Sequence, residues 1–437
     1  MKLSVLKFPV LKWSSILAMV LVIGVSFQGF LTVFAAHLFG HYTAFRLWDE
    51  VILLLCTVGS IYLILTDRKI RFNTLYRRLV WLILGYISLN IILGLVAYSD
   101  HNVTLKALGY GLIVNLRYLI FFLVTWSLSL RLSKLRNSWQ KMVLWPAGIV
   151  ILFGLLEILI LPHNFLSHFG YSNATIPPFE TINSNSKFIR IESTLRGANP
   201  LGAYMILPLS LLFMYLLRSK KVEPKQVLFF VCGLVVLLFS FSRSAWLGVF
   251  LSLAYILITS ELARRYKKQL LGSLGVLIVI LLGLFIGLRN NPTFQNYVYH
   301  TQSNSAVKTT SDQQHSIALS SGLKDVLNQP LGRGPGTSGP ASLYNHHDRN
   351  PEDYYLQIAE EDGWLGIVLF ILIIVGVGYI LWLRHDDPLS VFLLASLIGI
   401  SVTNLLLYAW SDDTLAYIWW GLAGIAMTPD KKAKKHA

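Results

Sequence analysis

Long apolar runs separated by short polar connections extend along most of the chain. A helix needs roughly 20 apolar residues to cross a lipid bilayer. Runs near that length lie at residues 14–38, 49–66, 79–98, 107–130, 142–161, 200–217, 226–241, 244–262, 269–288, 364–383, 389–409 and 413–428. Because backbone groups in lipid must pair within their own segment, each run is predicted to form a helix. The pattern predicts one integral membrane domain over residues 1–437. Its predicted fold class is an all-α polytopic membrane protein with about twelve transmembrane helices.

Two longer polar stretches interrupt the pattern, at residues 162–199 and 289–363. The second stretch lies between the predicted ninth and tenth helices and contains the run L-G-R-G-P-G-T-S-G-P. Long ordered connections are usually functional, because ordering them has an entropic cost. We therefore expect residues 289–363 to form a large, partly helical loop that carries the active site.

Composition supports the membrane assignment, and the distribution of charge gives it an orientation. The chain is 54% hydrophobic and only 14% charged, which is typical of an integral membrane protein. Its net charge of +15 comes mainly from Lys and Arg clusters in alternate connections, so it indicates membrane topology and not nucleic-acid binding. If every run crosses, these clusters all lie on one side. Both termini are then cytoplasmic in the inner (plasma) membrane, and both polar loops face outwards.

Three arginines stand out, because the outward connections are otherwise poor in basic residues. Arg190 and Arg196 lie in F-I-R-I-E-S-T-L-R-G-A-N-P-L-G, before the predicted sixth helix. Arg243 lies in S-F-S-R-S-A-W-L-G, between the seventh and eighth. A guanidinium stays charged at any physiological pH and offers a fork of donors, so it suits a phosphate or diphosphate. The three arginines are candidate diphosphate ligands.

These arginines also have a structural interpretation. A fourth arginine, Arg117, lies within the predicted fourth helix. Arginines near a membrane surface often reach to the lipid headgroups or form buried ion pairs. The carboxylates considered for such pairs are Glu157 and Asp49. For one arginine considered alone, this structural interpretation is favoured. Three arginines at one interface, two of them beside glycine or proline, fit an anion-binding site as well.

Glu352 and His315 are the candidate catalytic bases. The run N-P-E-D at residues 350–353 is typical of a helix start, with Asn350 as N-cap and Pro351 as first helical residue. Glu352 would then either stabilise the helix through its dipole or, facing a membrane cleft with a raised pKa, act as a base. His315 lies on a predicted amphipathic helix, where packing is the alternative to catalysis.

Other polar residues of the large loop give weaker signals. The run G-R-G-P-G-T-S-G-P lacks the strand before it and the Lys-Ser/Thr after it that a phosphate loop requires, so turns that dock the loop over a cleft fit better. His346 and His347 have no further metal ligand at a typical spacing, so we predict no metal site and expect exposed loop residues. Which of Glu352, His315, His346 and His347 is the base stays open.

The order of these motifs resembles a known family. The motifs R-G-A-N-P-L-G, S-R-S-A-W-L-G, P-L-G-R-G-P-G and Y-Y-L-Q-I-A-E-E-D-G-W-L-G follow one another between Arg190 and Gly366. Together with the predicted helices, they look like the O-antigen ligase and O-antigen polymerase superfamily. Members of that family transfer a glycan from a polyprenyl-diphosphate carrier to a glycan or glycolipid acceptor on the outer face. The resemblance implies an inverting, metal-independent glycosyltransferase that uses no cofactor.

The resemblance also assigns roles to individual residues. Arg196 or Arg190 matches the family's arginine before the sixth helix, and Arg243 matches the arginine of the Ser-Arg motif. These side chains would stabilise the charge that grows on the departing diphosphate. His315 falls where many members have an arginine. Ligases of the family often have His-Asn before the Tyr-Leu, where this chain has Glu352 and an aspartate, which favours a polymerase or a ligase for another acceptor.

Two functions without transfer chemistry are the alternatives. A transporter or flippase of a lipid-linked glycan would place ionisable residues and broken helices near the midplane, often in repeated halves. Arg117 and Glu157 are the main charges within predicted helices, and the two halves show no detectable repeat. The polar residues are concentrated outside the membrane, which disfavours transport. A receptor-like binding protein is the third interpretation.

Overall fold

A computed structural model describes residues 2–66, 74–182, 185–219, 221–260, 287–288, 291 and 311–428. By its internal contacts the chain divides into two compact units. Unit 1 comprises Met1–Gly148, Ala318–Leu394 and Asn404–Ala437. Unit 2 comprises Ile149–Ile317 and Ala395–Thr403. Each unit is described by itself.

Helices dominate the described ranges. They are α1 (Lys2–Gly24), α2 (Gln28–Phe39), α3 (Tyr42–Phe45), α4 (Trp48–Thr66), α5 (Thr74–Ser99), α6 (Leu105–Ser129), α7 (Ser133–Leu159), α8 (Ala198–Arg218), α9 (Pro224–Phe239), α10 (Arg243–Thr259), α11 (Ser311–Asn328), α12 (Tyr354–Trp382), α13 (Pro388–Thr403) and α14 (Asp413–Ala426). Short 3-10 helices cover Val25–Phe27, Phe165–Phe169 and Gly339–Tyr344. The polar loop at 162–199 adds an antiparallel hairpin, β1 (Glu180–Ile182) and β2 (Asn185–Arg190), which the helical pattern does not predict.

The apolar runs predict the helices well. Every run except 269–288, almost all of which lies outside the described residues, contains a helix, and this confirms a largely helical polytopic membrane protein. In the described part of the chain, 7 helical stretches are long and apolar enough to cross a membrane. α9, α10 and α13 are shorter, with 16, 17 and 16 residues, and α14 has 14. The number of about twelve crossings therefore stays a prediction.

In unit 1, α14 packs along α6 as a core helix. Every residue of α14 is buried. A Cβ atom on Gly424 would lie 2.3 Å from the carbonyl oxygen of Phe122, so glycine lets the two backbones approach closely. The rings of Phe121 and Tyr417 meet edge to face, with their centroids 5.4 Å apart. This contact holds the N-terminal part of α14, which begins at Asp413, against the second half of α6.

In unit 2, α8 packs against α9 and α10 through small residues. The Ser210 hydroxyl on α8 and the Ser252 hydroxyl on α10 are 2.6 Å apart, within hydrogen-bonding distance. A Cβ atom on Gly248 of α10 would lie 2.9 Å from the carbonyl oxygen of Gly399, which belongs to the unit 2 part of α13. Small residues at such crossings are typical of helices packed in lipid. The hairpin lies just before α8 in the chain and ends at Arg190.

Candidate active site

The glycine-rich run at residues 332–340 folds onto a buried carboxylate of unit 1. Oε1 of Glu361 accepts hydrogen bonds from the backbone N–H groups of Gly336, at 2.7 Å, and Ser338, at 3.3 Å. Oε2 of Glu361 accepts from Nδ2 of Asn115 on α6, at 2.7 Å. These N–H groups therefore already bond to a carboxyl group of the protein itself. This agrees with its interpretation as a docked turn and not as a phosphate loop.

Glycine is required where this run touches α6. Gly336 has a φ of +89°, and a Cβ atom there would lie 2.4 Å from the carbonyl oxygen of Ala107. On the helix side, a Cβ atom on Gly111 would lie 2.4 Å from the backbone nitrogen of Gly336. Both backbones occupy the space that side chains would need, so the loop lies directly on the helix.

The first turns of α12 carry three consecutive acids that face inwards. Glu360 accepts a hydrogen bond from the Ser338 hydroxyl, and Asp362 accepts one from Nδ2 of Asn90 at 2.9 Å. Glu361 and Asp362 are at most 1% exposed. Gly363, with a φ of +67°, then interrupts the helical geometry. In the sequence this run is recognisable only as a family motif, and its role in anchoring the loop was not predicted.

Glu352 does not lie on a helix. Its φ is +56°, and its backbone N–H donates to the hydroxyl of Tyr408 at 2.6 Å. The N-cap of α12 is Asp353, whose side chain accepts from the N–H of Leu356 at 2.8 Å. The prediction of Asn350 as N-cap was wrong, because the Asn350 side chain accepts from the Tyr408 hydroxyl and the chain turns once more before the helix. The half-buried Glu352 is therefore a loop residue without a capping role.

Arg190 is embedded among acceptors of unit 2. Its Nε donates to the carbonyl oxygen of Ser240 at 2.9 Å, and its Nη2 donates to Oδ1 of Asn199 at 2.6 Å. Its Nη1 lies 3.2 Å from Oε2 of Glu180, the residue opposite it in the hairpin. A guanidinium has five N–H donors, so these bonds leave capacity for a further acceptor. Burial is the main cause of a lowered Arg190 pKa.

Arg243 is the first residue of α10 and lies close to Arg190. The positive charge of Arg243 contributes to lowering the Arg190 pKa, and Arg190 bonds to Ser240, three residues before Arg243. The N-cap residue Ser242 makes no side-chain cap, and its buried hydroxyl has no hydrogen-bond partner among the described residues. Two arginines thus lie near a helix N-terminus that has no side-chain cap. Arg196 lies in the turn that leads into α8 and is half-buried.

Two carboxyl groups lie behind this cationic cluster. Glu157 and Glu192 line one small cavity with Arg190. Oε2 of Glu157 accepts from the N–H of Ser193 at 2.7 Å. Glu192 is 1% exposed, and neither of its oxygens has a hydrogen-bond partner in the described part of unit 2. Burial, followed by the charges of Glu180 and Glu157, raises the pKa of Glu192 to about 9, so this side chain is protonated at neutral pH.

Arg117 forms a buried ion pair with carboxylates other than the two considered in the sequence analysis. Its Nη1 lies 3.0 Å from Oε1 of Glu50, its Nη2 donates to the carbonyl oxygen of Ser411 at 2.6 Å, and it also pairs with Asp413. The buried-pair interpretation therefore applies to Arg117, with Glu50 and Asp413 as the ion-pair partners, because the packing of α14 on α6 brings the N-terminus of α14 to Arg117. Buried ion pairs of this kind need such additional hydrogen bonds to offset desolvation.

The structure describes the three candidate histidines to different extents. His315 lies on α11, which confirms the predicted helix, but its side chain is outside the described part of the chain. His346 and His347 are exposed in the turn before α12, as expected. Among the residues that the structure describes, no group of three His, Cys, Asp or Glu side chains could hold a metal ion.

Fold and site together describe a polytopic helical membrane protein that carries a cationic cluster and a docked glycine-rich loop. The sequence model of the O-antigen ligase family matches residues 228–371, about a third of the chain. This match confirms the resemblance to the O-antigen ligase and polymerase superfamily, and it supports a membrane enzyme of the glycan-transferring class. No curated protein gives a significant match to the chain.

Proposed function

We propose that the chain transfers a glycan from a polyprenyl-diphosphate carrier to a hydroxyl group of a glycan or glycolipid acceptor, on the outer face of the membrane. One observation carries this proposal. Arg190 donates to the carbonyl oxygen of Ser240, just before the uncapped N-terminus of α10, whose first residue is Arg243. Guanidinium forks and helix N-termini both bind phosphate groups well in proteins. The family match at residues 228–371 supports the same chemistry.

In the proposed reaction the acceptor hydroxyl attacks the anomeric carbon while the bond to the diphosphate oxygen breaks, so the configuration inverts. Negative charge grows on the leaving diphosphate. Arg190, Arg196 and Arg243 would stabilise that charge, which is the main work of such a site. Because the arginines supply the positive charge, the proposal requires neither a metal ion nor a cofactor.

The acceptor proton must pass to a base, and the proposal keeps Glu352 and His315 as candidates. Glu352 sits in a left-handed backbone conformation that only a few per cent of non-glycine residues adopt. Such strain is often found at functional sites. Since Asp353 and not Glu352 caps α12, a change at Glu352 leaves the helix cap intact. Replacing this side chain therefore tests chemistry and not helix stability.

The direct test is reconstitution of the purified chain with a polyprenyl-diphosphate oligosaccharide and a panel of acceptors, without ATP or added metal. We expect glycan-extended acceptor and free polyprenyl diphosphate in equal amounts. Absence of transfer to every acceptor, together with movement of the lipid-linked glycan across the bilayer, would establish the flippase alternative instead.

Matched variants separate the proposed roles. Arg243→Ala and Glu352→Gln should each reduce transfer by about 100-fold or more, the size of effect typical for charge stabilisation and for a catalytic base. Arg243→Lys should recover only part of the loss, because an ammonium lacks the guanidinium fork. The controls are Arg218→Ala and Asp386→Asn, at exposed positions. Full activity of Glu352→Gln would leave His315 as the candidate base.

A further inference from the structure

Unit 1 contains a polar cavity that plays no part in the proposed diphosphate site. Its volume is about 630 Å³, and its lining includes Arg333, Arg349, His101, Asn102, His346 and His347. This volume is within the range of about 300–1,000 Å³ that small-molecule sites occupy. It is much larger than a single phosphate group would require. The cavity is therefore large enough for a sugar of more than one ring.

Two arginines make the cavity cationic. Nη1 of Arg333 lies 2.9 Å from Oδ2 of Asp325, so an acid partly balances its charge. The Arg349 side chain, by contrast, forms no hydrogen bond or ion pair with any residue in the described ranges. Burial and then the charge of Arg333 lower the pKa of Arg349, while the charges of Asp325 and Glu360 act in the opposite direction. Both arginines line the same cavity, so an anion bound there would be attracted to both.

The cavity wall is already held in place. The N–H of Arg333 donates to the carbonyl oxygen of Glu360 at 2.9 Å. Nδ2 of Asn345 donates to the carbonyl oxygen of Asn102 at 3.1 Å, which ties the turn before α12 to the α5–α6 connection. A site whose walls are fixed loses little entropy on binding. The imidazole rings of His346 and His347 are exposed beside these walls and can exchange hydrogen bonds with hydroxyl groups.

We propose that this cavity binds an acidic saccharide, with the carboxylate or phosphate of one sugar between Arg349 and Arg333 and the sugar hydroxyls on the histidines and Asn102. The inference rests on the proposed function and extends it, because it makes the acceptor or donor glycan a negatively charged one. Pro330 and Leu331, which also line the cavity, offer an apolar surface to the face of a sugar ring. A lone phosphate would leave most of this lining unused.

The test is a binding measurement on the full chain in lipid nanodiscs. The probe is fluorescently labelled trigalacturonate, and its methyl ester is the neutral control with the same sugar rings. We expect the acid to bind about 10- to 100-fold more tightly than the ester, as charged hydrogen bonds predict. Arg349→Gln should remove that difference, whereas Arg218→Gln should preserve it. If Arg349→Gln does not fold, the comparison of acid and ester on the unmodified chain still decides.

Two results would overturn the inference. Equal binding of the acid and the ester would mean that the cavity does not recognise charge. Binding of pyrophosphate as tight as that of trigalacturonate, and competitive with it, would make the cavity a phosphate site and not a saccharide site. The outcome is separable from that of the proposed function. Charge-selective binding without any transfer would contradict only the enzyme proposal, and transfer without charge-selective binding would contradict only this one.

Discussion

At the scale of single residues, burial determines which acids hold a proton. Burial and the charges of Glu180 and Glu157 raise the Glu192 pKa to about 9. In the unfolded chain a glutamate has a pKa of about 4.3. The folded protein therefore binds this proton more tightly than the unfolded chain does. The resulting stabilisation is complete below the unfolded pKa and is lost as the pH rises towards 9.

Glu192→Gln should therefore stabilise the protein increasingly as the pH rises. The amide is neutral at every pH, so the variant avoids the cost of ionising a buried group. Between about pH 5 and 9 the free energy of unfolding of the variant should gain on that of the wild type by up to about 1.4 kcal/mol per pH unit. Thermal unfolding across this pH range measures the difference. The exposed Asp386→Asn is the control, and a Glu192→Gln effect independent of pH would contradict the assignment.

Residue types alone predict part of the candidate site. Arg190 and Arg243 could be singled out because arginine is unusual in a connection that is predicted to face outwards. Glu192 and Glu361 could not, because a loop acid or an acid near a helix start is normally solvated and only tertiary packing buries it. For Glu361 a signal was present: three consecutive acids at 360–362 begin an otherwise apolar helix, and buried charge in such a segment needs polar partners.

At the scale of elements, the contact between α6 and the glycine-rich run offers a matched pair of substitutions. Gly111→Ala should displace the run, because the new Cβ atom would meet the Gly336 backbone at 2.4 Å. A loss of about 1–3 kcal/mol in the free energy of unfolding is the usual cost of such overpacking. Gly109 lies two residues earlier on α6, and a Cβ atom added there would have no neighbouring atom within 4 Å. Gly109→Ala should be neutral, or stabilising by up to about 1 kcal/mol through helix propensity.

The measurement is thermal unfolding of the purified variants, combined with limited proteolysis of the loop. Gly111→Ala should expose residues 329–340 to protease and reduce glycan transfer, whereas Gly109→Ala should behave as the wild type. Equal stability and equal protease resistance of the two variants would show that the position of the glycine-rich run does not depend on its close contact with α6.

Helix positions follow from the apolar runs because lipid forces each spanning segment to satisfy its own backbone. Helix ends depend on single turns, which the pattern does not contain. α12 begins at Tyr354 because the left-handed turn at Glu352 delays the helix, and Asp353 then caps it. The hairpin that ends at Arg190 is a short pairing within a polar loop, where no long periodicity predicts it. The pairing of Arg117 with Asp413 could not be predicted without knowing that α14 packs on α6.

At the scale of the whole molecule, the short helices decide how the loops are oriented. A helix of 16 residues, such as α9, is about 24 Å long, whereas the hydrocarbon core is about 30 Å thick. α9 and α10 follow each other closely in the chain. Two crossings return the chain to the side from which it started, so the later connections lie on the same side whether both helices cross or neither does. Whether the loop at 162–199 and the connection after α12 lie on opposite sides of the membrane thus depends on whether the number of crossings between them is odd or even.

Labelling of single cysteines tests that parity. With Cys56 and Cys232 replaced by alanine, Ser172→Cys reports on the loop at 162–199, and Asp386→Cys reports on the connection between α12 and α13. Both positions are exposed. A membrane-impermeant maleimide added to intact cells should label Ser172→Cys and leave Asp386→Cys unmodified, because Arg384 and the other basic clusters favour the cytoplasmic side. After permeabilisation both should react. Labelling of Asp386→Cys in intact cells would reverse the orientation of this connection and contradict the twelve-helix topology. Labelling of neither cysteine would place the loop at 162–199, which contains Arg190, away from an outward-facing lipid diphosphate.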